Sequence, residues 1–319
     1  MESVDYLGLP IDFNPGEYLR LNPDLISAKV DPIWHYLNHG CREGRRYKSD
    51  RYAQEIAAIR DILIYHASRN VAQHHRNPIN RAGQKCFSQT DEDGITLEIL
   101  RRLGLERGVY AEFGVGNGLE NNTLILAALD WKGFWVGGED LAFDAWNPRR
   151  FHYIKDWVKL DNVLIHARRG LQALGAQNLD VVSLDLDGND FYFVEALLNG
   201  GVTPSLFIVE YNAKFPPPVR FTIQYDALHR WAGDDYFGAS LASFVDLFGR
   251  HDYRLVCCNA HSGANAFFVK NALATHFDDV STEMNELYMP PRYDLYSHYG
   301  HPQSVRVVAD IFMRDDPPT

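Results

Sequence analysis

The sequence has little of what several protein classes require. Four cysteines occur in 319 residues, and none form a C-x-x-C pair or a framework suited to a secreted domain. The adjacent Cys257 and Cys258 are predicted to be buried, reduced thiols. The 31 basic residues are outnumbered by 42 acidic ones, giving a formal net charge of -11. This acidic excess disfavours nucleic acid and anionic membrane as partners.

Long apolar runs are also missing. No stretch approaches the roughly 20 apolar residues of a membrane-spanning helix. The first ten residues lack the basic and apolar regions of a signal peptide. We therefore expect a cytoplasmic protein without a transmembrane segment, whose partner is a small molecule or a glycan. The 46% hydrophobic content is ample for a sizeable core.

The pattern of the chain divides it into four segments. We predict a small helical module over 1–50, a connector helix and linker over 51–85, a main domain over 86–275 and a C-terminal tail over 276–319. In the connector, Ile56, Ile59, Leu63 and His66 form a stripe at helical spacing that is expected to pack.

Strand and helix patterns alternate from Cys86 onwards. Apolar runs bounded by glycine and separated by helices predict an α/β fold, with a Rossmann-like, doubly wound, mostly parallel sheet. The predicted strands are Val109–Phe113, Gly133–Gly137, Asn162–His166, Asp180–Leu186, Ser205–Tyr211, Arg254–Cys258 and Ala266–Lys270. The predicted helices are Asp91–Leu103, Asn121–Leu129, Phe191–Asn199 and Leu241–Phe248.

A glycine-rich turn follows the first of these strands. Gly114, Gly116 and Gly118 in VYAEFGVGNGLENNT would let the backbone approach a ligand closely. The spacing is G-x-G-x-G, and Leu119 occupies the place of the third glycine of a dinucleotide fingerprint. Nicotinamide dinucleotides are therefore disfavoured, and a tight turn without a ligand is the simpler alternative.

Acidic residues end three of the predicted strands. Glu139, or Asp140 after it, is placed to accept hydrogen bonds from ribose hydroxyls, although solvated strand ends explain both. Further along, Asp185, Asp187 and Asp190 follow one strand, while Glu210 and Asn212 end the next. Buried carboxylates require a partner, which a cation, a cofactor amine or a substrate hydroxyl would provide. Such oxygen ligands on adjacent strands suit Mg²⁺.

Taken together, these motifs resemble those of two known groups of enzymes. The run from Glu112 to Lys270 is similar to FkbM-like S-adenosylmethionine (SAM) methyltransferases, of the class I methyltransferase type. It also resembles magnesium-dependent sugar O-methyltransferases. The resemblance implies SAM as cofactor, with Mg²⁺ left open because Glu-Tyr-Asn replaces an adjacent acidic pair. It also suggests that HARRG, from His166 to Gly170, approaches the adenine.

The resemblance implies a role for each motif residue. The implied cofactor-binding residues are Glu112, Gly114, Gly116, Gly118, Asn122, Glu139, Asp140 and Asp185. The implied metal ligands are Asp187, Glu210 and Asn212.

A long aromatic segment, NAKFPPPVRFTIQYDALHRWAGDDYFGAS, follows the fifth strand. Its length and prolines indicate a substrate-binding loop or lid, although surface packing explains its aromatic residues nearly as well. The predicted substrate contacts in and near it are Asp190, Tyr211, Lys214, Tyr225, Asp235 and Tyr236. Asp187, His229 and His261 are the candidate catalytic residues, and each histidine could instead be structural.

The N-terminal module supplies the biological context. FNPGEYLRLNPDL…HYLNHGCREGRR resembles a small module found at the ends of bacterial glycosyltransferases and other glycan-assembly enzymes. We therefore expect methyl transfer from SAM to a sugar hydroxyl of a bacterial surface glycan or nucleotide-sugar precursor, with glycan-assembly enzymes as partners of the module. A non-catalytic glycan-assembly scaffold is the alternative, and a homo-oligomer stays open.

Overall fold

The computed structural model describes residues 9–10, 13–49, 59, 62–63, 65–66, 69–71, 73–143, 149–292 and 306–307. The chain forms two compact units, residues 1–65 and 66–319. Within the described ranges, no helix is both long and apolar enough to cross a membrane.

The first unit contains three short helices, each opened by a proline: α1 (Pro15–Leu21), α2 (Pro23–Ser27) and α3 (Pro32–His35). A π-helical turn, Tyr36–Gly40, follows directly. Tyr18 is fully buried, and its hydroxyl hydrogen-bonds to Nδ1 of His35 at 2.9 Å. A Cβ on Gly40 would lie 1.9 Å from that hydroxyl. Glycine is therefore needed here for close packing.

The predicted packing of the connector stripe is wrong for the three of its residues that the structure describes. Ile59 is 58% exposed and Leu63 is 54% exposed. His66 is exposed too, and Ile56 lies outside the described residues. The three described residues of the stripe are therefore exposed and do not form a buried contact.

The second unit is built from alternating strands and helices. The strands are β1 (Val109–Phe113), β2 (Lys132–Gly137), β3 (Phe151–Lys155), β4 (Val181–Leu184), β5 (Leu206–Glu210), β6 (Tyr253–Cys258) and β7 (Asn265–Lys270). The helices are α4 (Glu92–Leu103), α5 (Leu124–Ala128), α6 (Val163–Leu174), α7 (Asp190–Asn199), α8 (Leu241–Arg250) and α9 (Met284–Leu287).

The seven strands form one sheet in the order β3-β2-β1-β4-β5-β7-β6. Strands β1 to β5 pair in parallel, and β7 runs antiparallel between β5 and β6. The predicted fold class, an α/β fold with a Rossmann-like and mostly parallel sheet, is confirmed. The strand order reverses between β1 and β4, and such a switch point opens a crevice at the carboxyl ends of the strands.

One predicted strand is wrong and one was missed. Asn162–His166 lies at the start of helix α6, where Val163, His166, Ala167 and Gly170 are buried at helical spacing. His166 is therefore part of a helix packed on the sheet, and the suggested approach of HARRG to an adenine loses its structural basis. The third strand is Phe151–Lys155, at the sheet edge beside β2.

Residues before α4 are tied to the far side of the sheet. The Asn77 and Asn80 amides donate to the carbonyls of Val256 and Cys258, each at 2.8 Å. In the nominal tail, Phe277 and Leu287 belong to the buried core. Segments that precede and follow the strands in the sequence thus both pack in the second unit.

Candidate functional site

The glycine loop after β1 is organised by Glu112. Its buried carboxylate accepts hydrogen bonds from the backbone N–H groups of Asn122 and Thr123, both at 3.0 Å, and from the Thr123 hydroxyl at 2.5 Å. The Trp135 indole donates to that hydroxyl at 2.9 Å. Burial raises the pKa of Glu112, while these hydrogen bonds lower it. The buried Glu112 carboxylate therefore holds the end of the glycine loop in place through these hydrogen bonds.

The three loop glycines meet different surroundings. A Cβ on Gly114, whose φ is +98°, would lie 1.4 Å from the Asp185 carbonyl oxygen. On Gly118, with φ +82°, it would meet Leu141 at 2.9 Å. On Gly116 its nearest neighbour would be Oε2 of Glu139, 4.0 Å away. Only Gly116 thus leaves open space above the loop, with a carboxylate beside it.

Glu139 and Asp140 follow β2 and are both exposed. Asp140 forms an ion pair with Lys155 at 2.6 Å, whereas Glu139 faces Gly116. The Tyr153 hydroxyl donates to the Glu139 carbonyl at 2.5 Å, which anchors the backbone at this point. Of the two acidic residues, Glu139 is thus the better placed to meet a ligand on the glycine loop.

Three carboxylates converge beyond the ends of β4 and β5. One oxygen from each of Asp185, Asp187 and Glu210 lies within 4.8 Å of the others. Asp187 has a φ of +53°, a left-handed conformation unusual for a residue with a side chain. The other two are partly buried. Burial, together with the neighbouring carboxylates, raises the pKa of Asp185 and of Glu210 well above the usual values.

This geometry fits a divalent cation. Oxygen ligands about 2.1 Å from an octahedral Mg²⁺ lie roughly 3 to 4.2 Å apart, so small side-chain adjustments would complete the contacts. Oε2 of Glu210 is buried and has no hydrogen-bond partner within the described part of the chain. Asp185, predicted from the resemblance as a cofactor contact, belongs to this acidic cluster.

Asp190 and His229 shape the turn that carries Asp187. Asp190 is fully buried and accepts from the backbone N–H groups of Leu186 at 2.7 Å and Gly188 at 2.8 Å. It therefore holds the turn and does not face a substrate in this arrangement. The His229 ring packs on Gly188, where a Cβ would lie 2.4 Å from its Cδ2. Burial lowers the pKa of His229, which favours the neutral imidazole.

Several predicted substrate contacts already form hydrogen bonds or ion pairs in or next to the long segment that follows β5. The Asn212 amide donates to the carbonyls of Asp235 at 2.9 Å and Phe237 at 3.1 Å, and its oxygen accepts from the Lys214 N–H at 3.2 Å. The Lys214 ammonium pairs with the buried Asp235 carboxylate. Buried Tyr211 donates its hydroxyl to the Met289 carbonyl at 2.7 Å. These contacts fix the loop.

The two remaining lid tyrosines are also packed. Tyr225 lies 5.4 Å from the Tyr192 ring, measured between centroids. Tyr236 is 3% exposed, with the Arg306 guanidinium 4.1 Å from its ring centroid. Both rings are thus engaged in contacts within the protein, and their direct contact with a substrate stays a prediction.

A buried polar network adjoins the acidic cluster and was missed from the sequence. The Asn259 amide donates to Asp91 at 3.1 Å and to Glu92 at 2.9 Å. His261 contributes its backbone N–H to Asp91 at 3.3 Å. Asn265 donates to Glu92 at 3.3 Å. Asp91 and Glu92 lie far from β7 in the sequence, and only the fold brings this acidic pair next to that strand.

Comparison with known proteins establishes no family. No protein-family model matches the chain, and no curated protein sequence matches it. Among solved structures, MycE methyltransferase from the mycinamycin biosynthetic pathway, in complex with Mg, SAH and mycinamycin VI, is 14% identical with a TM-score of 0.29. That match covers 55% of this chain, which spans only 45% of the length of MycE.

Two further structures are similarly distant. A family 2 O-methyltransferase from Planctomyces limnophilus, in complex with apigenin, is 12% identical with a TM-score of 0.29, covering 77% of this chain and 67% of that protein. A structure concerning conversion of a disulfide bond into a thioacetal group during echinomycin biosynthesis shows 13% identity, a TM-score of 0.24 and coverages of 55% and 80%. Likenesses this weak carry no conclusion about activity.

Proposed function

We propose that this protein is a SAM-dependent O-methyltransferase acting on a sugar hydroxyl of a bacterial surface glycan or its precursor. One observation carries the proposal: the glycine loop and the acidic cluster are contiguous. The backbone of Gly114 lies directly against the carbonyl of Asp185. A cofactor on the loop and an acceptor at the cluster would therefore meet.

Three parts of the chain would hold SAM. Gly116 offers the open surface of the loop, Glu139 would accept hydrogen bonds from the ribose hydroxyls, and Glu112 with Asn122 would keep the loop in shape. Glu112 acts through the loop in this proposal, because its oxygens already accept three hydrogen bonds from Asn122 and Thr123. Loss of Glu112 would thus weaken SAM binding indirectly.

Asp185, Asp187 and Glu210 would hold a divalent cation such as Mg²⁺. Such a cation, when bound, lowers the pKa of a coordinated hydroxyl as a Lewis acid. The three carboxylates would orient it at the carboxyl edge of β4 and β5, next to the glycine loop. Asp190 would support this arrangement by fixing the turn around Asp187.

His229 is the best supported base. Its ring lies against Gly188 and hydrogen-bonds to the backbone of Asp187, which places it beside the acidic cluster. A neutral imidazole there would take the proton of the acceptor hydroxyl while its oxygen attacks the sulfonium methyl, leaving S-adenosylhomocysteine. His261 lies in the Asp91 network, which makes it the weaker candidate.

The sugar acceptor and the glycan context rest on two features of the chain. The aromatic, proline-stiffened lid from 213 to 239 would cover a polar acceptor, and the 1–50 module would dock onto glycan-assembly enzymes. Carbohydrates or nucleotide sugars are the acceptor class to test first.

The test is calorimetry with SAM and S-adenosylhomocysteine, with and without Mg²⁺, followed by methyl-transfer assays on a panel of sugars. We expect wild type to bind SAM, and Asp187→Asn to retain this binding while losing turnover by at least about 100-fold. Asp161→Asn, at an exposed carboxylate before α6, is the matched control and should stay active. Absence of SAM binding would contradict the proposal, and binding without transfer would favour a glycan-assembly scaffold.

A further inference from the structure

Asn265 begins β7 directly opposite the last residue of β5, Glu210. It is 3% exposed. Glu210 belongs to the acidic cluster with Asp185 and Asp187. Asn265 thus stands at the junction between this cluster and the buried network around Glu92.

The strand register makes the two side chains close neighbours. The Tyr211 N–H donates to the Ala264 carbonyl at 2.9 Å, and these two residues form the next pair along the ladder. Because hydrogen-bonded and non-hydrogen-bonded pairs alternate in antiparallel sheets, Glu210 and Asn265 form a non-hydrogen-bonded pair. In such pairs the side chains share a face and approach most closely.

Each of these neighbours presents a buried oxygen without a hydrogen-bond partner. Among the described residues, neither Oε2 of Glu210 nor Oδ1 of Asn265 has such a partner. The amide nitrogen of Asn265 donates to Oε1 of Glu92 at 3.3 Å. This hydrogen bond fixes the orientation of the carboxamide group. The Glu210 carboxyl also hydrogen-bonds to Asp185. Buried polar atoms are normally satisfied, so two such oxygens on one face of the strand pair leave a place for a shared ligand.

We propose that the carboxamide oxygen of Asn265 is the neutral ligand of the cation site formed by Asp185, Asp187 and Glu210. The inference rests on the proposed function for the presence of the cation. Three carboxylates already exceed the charge of a divalent ion, so an uncharged fourth oxygen adds a ligand without adding repulsion, and the remaining positions are left to water and the acceptor. Asn212, which the sequence suggested for this part, already hydrogen-bonds to lid backbone at both ends of its amide.

Glu92 would be a positioning residue in this arrangement. It is fully buried, and it accepts hydrogen bonds from the amides of both Asn259 and Asn265. The Asn265 nitrogen is thereby engaged, which leaves its oxygen for the cation. Glu92, at the start of α4, would thus affect the cation site by orienting the Asn265 amide.

The experiment measures Mn²⁺ binding to the full chain, stripped of metal, by calorimetry and electron paramagnetic resonance. Asn265→Leu removes the oxygen at similar volume, and Asn265→Asp restores an oxygen ligand. Glu210→Gln tests the cation site itself. Circular dichroism and thermal melting without metal establish that each variant is folded.

We expect wild type to bind one Mn²⁺, with affinity about tenfold or more weaker in Asn265→Leu. Asn265→Asp keeps an oxygen but adds a negative charge beside Glu92 and the three carboxylates, so its affinity should lie between those of wild type and Asn265→Leu. The Mn²⁺ resonance should also change in Asn265→Leu. If Glu210→Gln abolishes binding while folded Asn265→Leu binds like wild type, the role of Asn265 is overturned and the cation site stands. If wild type binds no Mn²⁺, both the proposed cation site and the role of Asn265 are contradicted. SAM binding, measured separately, tests the proposed cofactor site.

Discussion

At the scale of single residues, Thr123 connects the glycine loop to the sheet. Its hydroxyl donates to Glu112 and accepts from the Trp135 indole. Thr123→Val keeps the shape and leaves two buried polar groups short of a partner, so we expect a loss of about 1–3 kcal/mol in unfolding free energy. Urea denaturation measures this loss. Thr123→Ser keeps the hydroxyl and should lose clearly less; an equal loss would contradict the polar role.

Gly114 and Gly116 form a second residue-scale comparison. Gly114→Ala would force a Cβ to within 1.4 Å of the Asp185 carbonyl at a positive φ, so we expect severe destabilisation or failure to fold. Gly116→Ala meets no protein atom closer than 4.0 Å. It should fold normally and lose SAM affinity, because the methyl group occupies ligand space. Thermal melting and calorimetry distinguish the two, and normal SAM binding by folded Gly116→Ala would place the cofactor elsewhere.

At the scale of elements, helix α6 predicts a pH dependence. His166 is 4% exposed, and burial lowers its pKa, although Asp156 lies 3.3 Å from its Nε2. The unfolded chain, with a histidine pKa near 6.5, therefore binds the proton more readily. Stability from this group is present above that pH and is lost as pH falls through the folded pKa.

His166→Gln should reduce that loss. We expect the unfolding free energy of wild type to fall more between pH 7 and pH 5 than that of the variant. Denaturation at both pH values measures the difference, and the remaining groups titrate in both proteins. Equal losses would show that His166 does not couple folding to pH.

The same helix shows where prediction from sequence stops. The apolar run at Val163 is compatible with a strand or a helix over five residues, and only burial continued to Leu174 at helical spacing decides for a helix. The edge strand β3 was missed because residues 151–153 are only partly buried and Lys155 is exposed, which weakens the apolar signal of a strand. The strongly apolar β1, β4 and β5 were predicted close to their observed bounds.

The candidate site could likewise be predicted from the sequence only in part. Asp187 and Glu210 follow apolar strands, so the general rule for parallel sheets brings them to one edge. Asn212 and Asn265 cannot be ranked from the sequence, because the antiparallel pairing of β7 with β5 decides which amide lies beside Glu210. Local patterns thus predict strand ends, and the topology selects their neighbours.

At the scale of the whole molecule, the two units predict separable functions. The site residues named above all belong to residues 66–319, while the first unit has its own small core of Leu9, Tyr18, Leu25 and Tyr36. We expect a chain lacking residues 1–65 to bind SAM with unchanged affinity. Calorimetry on the folded truncated chain tests this, and a large loss of affinity would show that the first unit contributes to the cofactor site.

The hydrogen bond from Trp135 to Thr123 has an optical consequence. The indole lies 4.9 Å from the Phe151 ring and 6.4 Å from the Phe143 ring, between centroids, and its N–H reaches the loop through one hydroxyl. A rearrangement of the glycine loop would alter the polarity around this chromophore. Trp135 is therefore an intrinsic fluorescent reporter beneath the glycine loop. The chain has six tryptophans, so Trp135→Phe as a reference isolates its signal and lets loop ordering be followed in time without an added label.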